Sequence, residues 1–244
     1  MPLLQVDNIT VRFGGLTAVR TASIEVEAGA ITGLIGPNGA GKTTLFNVIT
    51  GLQAPTDGHI VFDGREVTHL GVHQRARLGI ARTFQKLEAF NSMSARDNVL
   101  VAAEISRRRG GRSARSVADE AIEQVGLTEQ AEITVGTMPT ATARLVELAR
   151  ALATSPKLLL LDEASSGLND EETAAVAELL HRLVAATGVG VLLVEHDMNF
   201  VMGLCSQLSV LDLGQVIASG PPAEVRQNRL VQAAYLGTSA ESAA

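Results

Sequence analysis

Nine residues concentrate the chemistry of this chain: Gly36-Pro37-Asn38-Gly39-Ala40-Gly41-Lys42-Thr43-Thr44. The glycines let backbone N–H groups approach phosphate oxygens with no Cβ in the way. Asn38, Gly39, Ala40 and Gly41 lie along that loop, and the start of a following helix adds the positive end of its dipole. Lys42 is placed to reach β and γ phosphates, Thr43 to set a hydroxyl on Mg²⁺, and Thr44 to donate to an α phosphate. The flanks agree with a strand–loop–helix unit. Ala30 to Ile35 is an apolar, β-branched run, Leu45, Phe46, Val48 and Ile49 give a helical apolar face, and Gly51 stands where a C-cap is expected.

A second group follows four leucines: Leu158-Leu159-Leu160-Leu161-Asp162-Glu163. The run predicts a strand buried on both faces, which opens at its end into two carboxylates. Asp162 suits a Mg²⁺ shell through water, and Glu163 suits the polarisation of an attacking water. His196 follows another apolar run, Val189–Val194, between Glu195 and Asp197. A histidine at the same sheet edge could hydrogen-bond a γ phosphate; as a surface histidine in a charged turn it would do nothing. Gln85 also ends a strand, and its amide could hold a metal-bound water. Phe13 could stack on a base, although a phenylalanine belongs by default in a core.

These groups need a scaffold that brings strand ends together. Leu3–Phe13 and Thr21–Val26 alternate as β strands, and Ile60–Phe62 closes on the turn Asp63-Gly64. Residues 71–79 read as a helix and Ile80–Phe84 as a strand. From about Lys86 to Leu152 the pattern becomes helical: Val99–Ile105, then Val117, Ala121, Ile122 and Val125, then Ala143–Ala153. Strand and helix alternate again from Lys157, with a helix over Glu171–Ala186, a helix from Met198, and strands over Leu208–Leu213 and Gln215–Ala218. Alternation of this kind around a phosphate loop predicts a parallel sheet with its ligand at the carboxyl ends of the strands. The expected fold is an α/β P-loop NTPase, a RecA-like core with an antiparallel β subdomain and an inserted α-helical subdomain. Its parts are 1–85 and 157–237 for the core, 86–156 for the insert, and a frayed tail from 238 to 244.

Composition narrows the class. The 244 residues hold 46% hydrophobic side chains and a formal net charge of -6, enough for one large core and adverse to nucleic-acid binding. Arg107, Arg108, Arg109, Arg112 and Arg115 form the one basic cluster, interleaved with glycine and serine, and read as a solvated edge. Cys205 is the single cysteine and reads as a small buried hydrophobe. The first residues carry no signal-peptide pattern, and no apolar run is long enough to span a bilayer. A cytoplasmic chain is expected, reaching a membrane only through partners.

Together these pieces resemble the ATP-binding-cassette ATPases, over residues 3 to about 237, and within them the branched-chain amino-acid uptake subfamily. The likeness runs through Phe13-Gly14-Gly15-Leu16-Thr17-Ala18-Val19, the loop and helix 36–51, and Ala81-Arg82-Thr83-Phe84-Gln85. It continues in Gly167-Leu168-Asn169, Val194-Glu195-His196-Asp197-Met198, Pro222-Ala223-Glu224-Val225 and Ala234-Tyr235-Leu236-Gly237. The resemblance implies roles: Phe13 stacks on adenine, 36–44 is the Walker A motif, and Gln85 is the Q-loop glutamine. Asp162 and Glu163 become the Walker B aspartate and catalytic glutamate, Ser166–Asp170 covers the D-loop, and His196 is the switch histidine. It implies ATP and Mg²⁺, and a second ATPase subunit, expected to be distinct, each ATP lying between one P-loop and the other signature. It further implies transmembrane permease subunits, an extracytoplasmic solute-binding protein, no nucleic acid, and a place on the cytoplasmic face of the plasma membrane.

Two stretches depart from that resemblance. Where the family carries a Leu-Ser-Gly-Gly-Gln-like signature, this chain reads Met138-Pro139-Thr140-Ala141-Thr142. Pro139 has neither hydroxyl nor N–H, and Ala141 stands where a glycine permits close phosphate approach. Pro139 is expected to serve as a first helical residue. Ala164 stands where a proline usually follows the catalytic glutamate. The alternatives to an importer ATPase are therefore a mainly regulatory nucleotide-binding subunit beside a more active partner, or a soluble cassette ATPase outside transport.

Overall fold

The computed structural model describes residues 1–83, 87–106 and 111–241, with side chains described as far as Tyr235. In chain order the strands are β1 (Leu4–Phe13), β2 (Leu16–Val26), β3 (Ile31–Ile35), β4 (Asp57–Phe62), β5 (Arg65–Glu66), β6 (Ile80–Arg82), β7 (Leu158–Asp162), β8 (Gly190–Val194), β9 (Gln207–Asp212) and β10 (Gln215–Gly220). They form two sheets. One is antiparallel, in the order β2-β1-β4-β5; the other runs β10-β9-β3-β8-β7-β6, all parallel except the edge strand β10.

The leucine run over β7 shows why this sheet is central. Leu158 and Leu160 face one core, shared with β1, β2, β4 and the helix after β3, whereas Leu159 and Leu161 face a second core built with the later helices. Alternating side chains that are all apolar require cover on both sides. Helix α1 (Lys42–Thr50) lies with the antiparallel sheet on the first face, its Leu45, Phe46, Val48 and Ile49 buried. Helix α2 (Val72–Leu78) adjoins it.

Between β6 and β7 the chain builds α3 (Ala95–Ser106), α4 (Ala114–Gln124) and α5 (Thr140–Leu152), which pack on one another. This is the inserted helical subdomain of the expected fold. The second face is completed by α6 (Asp170–Thr187), whose Asn169 and Glu172 form a reciprocal capping box, and by α7 (Met198–Leu204), capped by Asp197. Helices α8 (Pro222–Gln227) and α9 (Arg229–Glu241) close the chain. The backbone is helical through Glu241, where fraying was expected from residue 238; the buried Val231 and half-buried Tyr235 anchor the helix to the second core. Among the described residues no helix is long and apolar enough to cross a membrane.

Candidate nucleotide site

The strand register collects the expected residues at one edge of the parallel sheet. Leu34 of β3 pairs with Val194 of β8, and Val194 pairs with Asp162 of β7. One residue further on stand Ile35, Glu195 and Glu163, and the Glu163 N–H donates to the Val194 carbonyl at 2.9 Å. The loop 36–41, the two carboxylates and His196 thus leave three adjacent strands at the same end, where α/β sheets bind ligands.

The loop after β3 accepts no side chain at its tight points. Gly36 has φ 150, and a Cβ there would lie 1.9 Å from the Leu211 carbonyl oxygen; Gly41, at φ 105, would place one 2.5 Å from the Ala18 carbonyl oxygen. Both positions need glycine for conformation and for space. Gly41 caps α1, so the helix dipole opens into the loop. The Lys42 Nζ arches back over it, donating to the Gly36 carbonyl at 2.6 Å and the Pro37 carbonyl at 2.9 Å. Burial pulls the Lys42 pKa down, opposed by the nearby charges of Glu163 and Asp162. Asn38, Gly39 and Thr43 are exposed, Thr44 is half-buried and Ala40 buried.

At its far end α1 is bolted down by Arg75, which is almost wholly buried. Its Nη1 donates to the Val48 and Ile49 carbonyls at 2.6 and 2.7 Å, its Nη2 to Thr68 and its Nε to Leu70. Burial lowers that guanidinium to about 10, so it remains a cation at neutral pH, at the negative end of the helix.

This geometry fits a Mg²⁺-bound nucleotide. The loop offers amides and a lysine for phosphates, while Thr43 and Asp162 offer hard oxygen donors. One hydroxyl and one carboxylate fit the donor set of Mg²⁺, which takes one or two carboxylates and completes its shell from phosphates and water.

A family model described as ABC transporter matches residues 19–166, more than half of the chain. The chain belongs to the ABC transporter family. Curated relatives include the high-affinity branched-chain amino acid transport ATP-binding protein BraF of Pseudomonas aeruginosa, 41% identical over 97% of this chain and 98% of that protein. LivG of Escherichia coli K12, which carries the same description, is 39% identical with the same coverage. LptB of Acidithiobacillus ferridurans, a lipopolysaccharide export system ATP-binding protein, is 35% identical over 96% of this chain and 97% of its own. Among solved structures, the ADP conformation of MJ1267, an ATP-binding cassette of an ABC transporter, superposes with a TM-score of 0.88 at 30% identity, covering 97% and 99% of the two chains. As an ABC cassette the chain is an ATP-binding and ATP-hydrolysing subunit.

The other expected ABC residues differ in exposure. Phe13 is exposed at the β1–β2 turn, so it is not the core phenylalanine that its type alone implied. His196 is exposed at its side chain, with its N–H donating to Glu195 at 3.2 Å. Gln85 lies outside the described residues, as do Arg107–Arg109 of the basic cluster. Arg112 is exposed and pairs with Glu120, in keeping with a solvated edge. Cys205 is buried, and its thiol is pushed up to about 12 by burial and then by the Glu195 charge. Pro139 is the N-cap of α5 rather than its first helical residue, with φ -55 and ψ 149. Its ring suits that φ, and its carbonyl takes the first helical bond, from the Ala143 N–H at 3.0 Å.

Four residues without an assigned role organise the site. Glu195, completely buried, accepts from the Ser165 N–H at 2.7 Å and the Ser165 hydroxyl at 2.8 Å, tying the turn after Glu163 to the strand before His196. Arg144 of α5 donates to the Glu163 carbonyl at 2.9 Å. Arg82 of β6 donates to Asp162 at 2.7 Å. Tyr235 of α9 lies beside the Gly36 backbone, and burial pushes its phenol up to about 12. The last falls within residues 215–241, which match a second family model, described as Branched-chain amino acid ATP-binding cassette transporter. Arg82, Glu195 and Tyr235 lie in stretches that carried the family resemblance, but nothing in the sequence singled out their contacts, and Arg144 had no signal.

Proposed function

We propose that this chain energises an importer for branched-chain amino acids or similar small solutes. The observation that carries the reading is the row Leu34–Val194–Asp162, which sets the phosphate loop, Glu163 and His196 at one sheet edge. The match over 215–241 and the BraF and LivG relatives support the branched-chain cargo.

In this reading Asn38–Gly41 and Lys42–Thr44 hold the triphosphate and Phe13 stacks on adenine. Thr43, Asp162 and Gln85 hold Mg²⁺ and its water, and the bound metal supplies charge neutralisation to the phosphates. Glu163 orients and polarises the attacking water, and His196 meets the γ phosphate. Segments 1–85 and 157–237 form the nucleotide core, and 86–156 forms the helical subdomain inserted in it. The chain sits on the cytoplasmic face of the plasma membrane, held by permease subunits that a solute-binding protein supplies.

A second reading rests on Pro139. The signature side of this chain offers a capping residue with no N–H and an extended backbone, so the ATP it would face belongs to a poorly closing site. This favours a distinct ATPase partner with an intact signature, and a chain that hydrolyses poorly alone.

The test is the assembled transporter in proteoliposomes, with uptake of labelled leucine and ATP turnover measured together. Lys42→Ala in this chain should abolish calorimetric ATP binding at its P-loop and strongly depress uptake. Unchanged binding by the folded variant removes the site; ATP turnover that no branched-chain amino acid follows across the membrane removes the cargo.

A further inference from the structure

Arg82 joins the two halves of the nucleotide site. Its Nη2 donates to Asp162 Oδ2 at 2.7 Å, and the pair is almost fully buried, with side chains 9% and 8% exposed. Its Nη1 donates to Asn47 Oδ1 at 2.7 Å, and its guanidinium lies over the Phe46 ring, 5.4 Å from the centroid. Asn47 and Phe46 both belong to α1. Asn47 follows Thr43 by four residues and shares its face of the helix. The guanidinium therefore grips Asp162 with one arm and, with the other, the helix face that carries Thr43.

These contacts fix direction as well as charge. A carboxylate has two oxygens, and Arg82 engages Oδ2, which leaves Oδ1 to present to a metal shell. A planar fork satisfying two acceptors while stacked on an aromatic face holds one orientation; an ammonium on a flexible stem does not. A buried carboxylate stripped of its partner is left uncompensated, and the Lys42 ammonium is close enough to feel the Asp162 charge.

We propose that Arg82 is a positioning residue for Mg²⁺: it holds Asp162 and the Thr43 face of α1 in register, so that the metal's oxygen donors are preset before nucleotide binds. This deepens the nucleotide-site reading and rests on it. Outer partners of metal ligands typically govern affinity by about 10- to 100-fold.

The probe is Mn²⁺, followed by electron paramagnetic resonance in the presence of ATP, beside calorimetric ATP binding in EDTA. Arg82→Gln should raise the Mn²⁺ half-saturation by about 10- to 100-fold while metal-free ATP binding stays at the wild-type value. Arg82→Lys should recover only part of the loss. An unchanged Mn²⁺ half-saturation in Arg82→Gln overturns the proposal, as does full recovery by lysine, which would make charge alone sufficient. An equal loss of ATP affinity in EDTA overturns it too, because Arg82 would then serve the P-loop and not the metal. If Arg82→Gln does not fold, Asn47→Ala cuts only the α1 arm and should still raise the half-saturation, by a smaller factor; no change there overturns the register claim. Wild-type chain that binds no ATP in either condition overturns the nucleotide-site reading, and this proposal with it.

Discussion

Two helices of this cassette begin where phosphate is expected, and they begin differently. Helix α1 starts behind Gly41, at φ 105, out of a loop whose Gly36 is pressed against the Leu211 carbonyl. Helix α5 starts behind Pro139, in extended conformation, from Met138, also extended, with no side-chain cap. Both N-termini carry the same dipole. Only the first surrounds it with a backbone that a ligand can approach closely. The comparison separates two things often taken together: a helix end is generic electrostatics, whereas a phosphate cradle is a backbone shape that only glycine permits at its tight points.

The largest effect should come from breaking the first loop's shape. Gly36→Ala sets a Cβ 1.9 Å from a carbonyl oxygen at a φ that L residues rarely adopt. A loss of about 3 kcal/mol or more in stability, or of ATP binding altogether, is expected. Thermal melts and calorimetry check it. The counterpart, Pro139→Ala, should leave this chain's own ATP affinity untouched. A well-tolerated Gly36→Ala, or a Pro139→Ala that weakens binding at the P-loop, erases the contrast.

Next in size is the chemical step. Glu163→Gln keeps the shape but cannot polarise water as a carboxylate does, so single-turnover hydrolysis at this P-loop should fall about 10²- to 10⁴-fold. ATP should remain bound. Quench-flow on the assembled transporter reads it, and normal turnover by the variant would move the general base elsewhere.

The first loop was legible in the sequence because its residue types are nearly dictated by its shape. Gly36, Gly39 and Gly41 are spaced for positive φ, and Lys42 to Thr44 are spaced for phosphate. The sheet was legible too, since Leu158–Leu161 has no polar face to give to water. Long-range polar partners were not. Glu195 is 30 residues from the Ser165 it holds, and Arg82 is 80 from Asp162. Neither has a periodic signature, because a buried pair is specified by strand order and register rather than by neighbours in the chain. For Phe13 the default of its type, a place in the core, lost to its position on a hairpin turn, which leaves the ring exposed and the stacking expectation standing.

A smaller effect is expected from rebuilding the second helix end. Pro139→Ser with Ala141→Gly restores a backbone N–H and a hydroxyl, and lifts the Cβ barrier. In a heterodimer with an intact partner, turnover at the partner's P-loop should rise roughly tenfold, the worth of one hydrogen bond of ~1.4 kcal/mol made in the closed state. Strong hydrolysis by native homodimers, with no gain from the double change, would mean that Thr140 and Thr142 already supply what phosphate needs.

The smallest effect concerns how α5 is held behind that end. Glu147 on α5 accepts from the Glu88 N–H, Arg150 donates to the Glu88 carbonyl at 2.6 Å, and Arg144 reaches Glu163. The helix that begins without a side-chain cap is thus tied along one face to the segment after β6 and to the catalytic turn. Burial, the leading cause, raises the Glu147 pKa above its ordinary 4.5; the hydrogen bond from the Glu88 N–H, then Arg150 and Arg144, oppose it, and the Glu88 charge assists. A glutamate raised on folding binds more protons folded than unfolded. Its contribution is therefore full below pH 4.5 and is lost as pH rises through the folded value. Glu147→Gln keeps an acceptor for the Glu88 N–H and removes the titration. Urea unfolding should show a flatter dependence on pH above 4.5 in the variant, with a change of about 1 kcal/mol or less at neutral pH. Should the wild type instead gain stability relative to the variant on going to neutral pH, attraction to Arg144 and Arg150 outweighs burial, and α5 is held by charge where α1 is held by backbone shape.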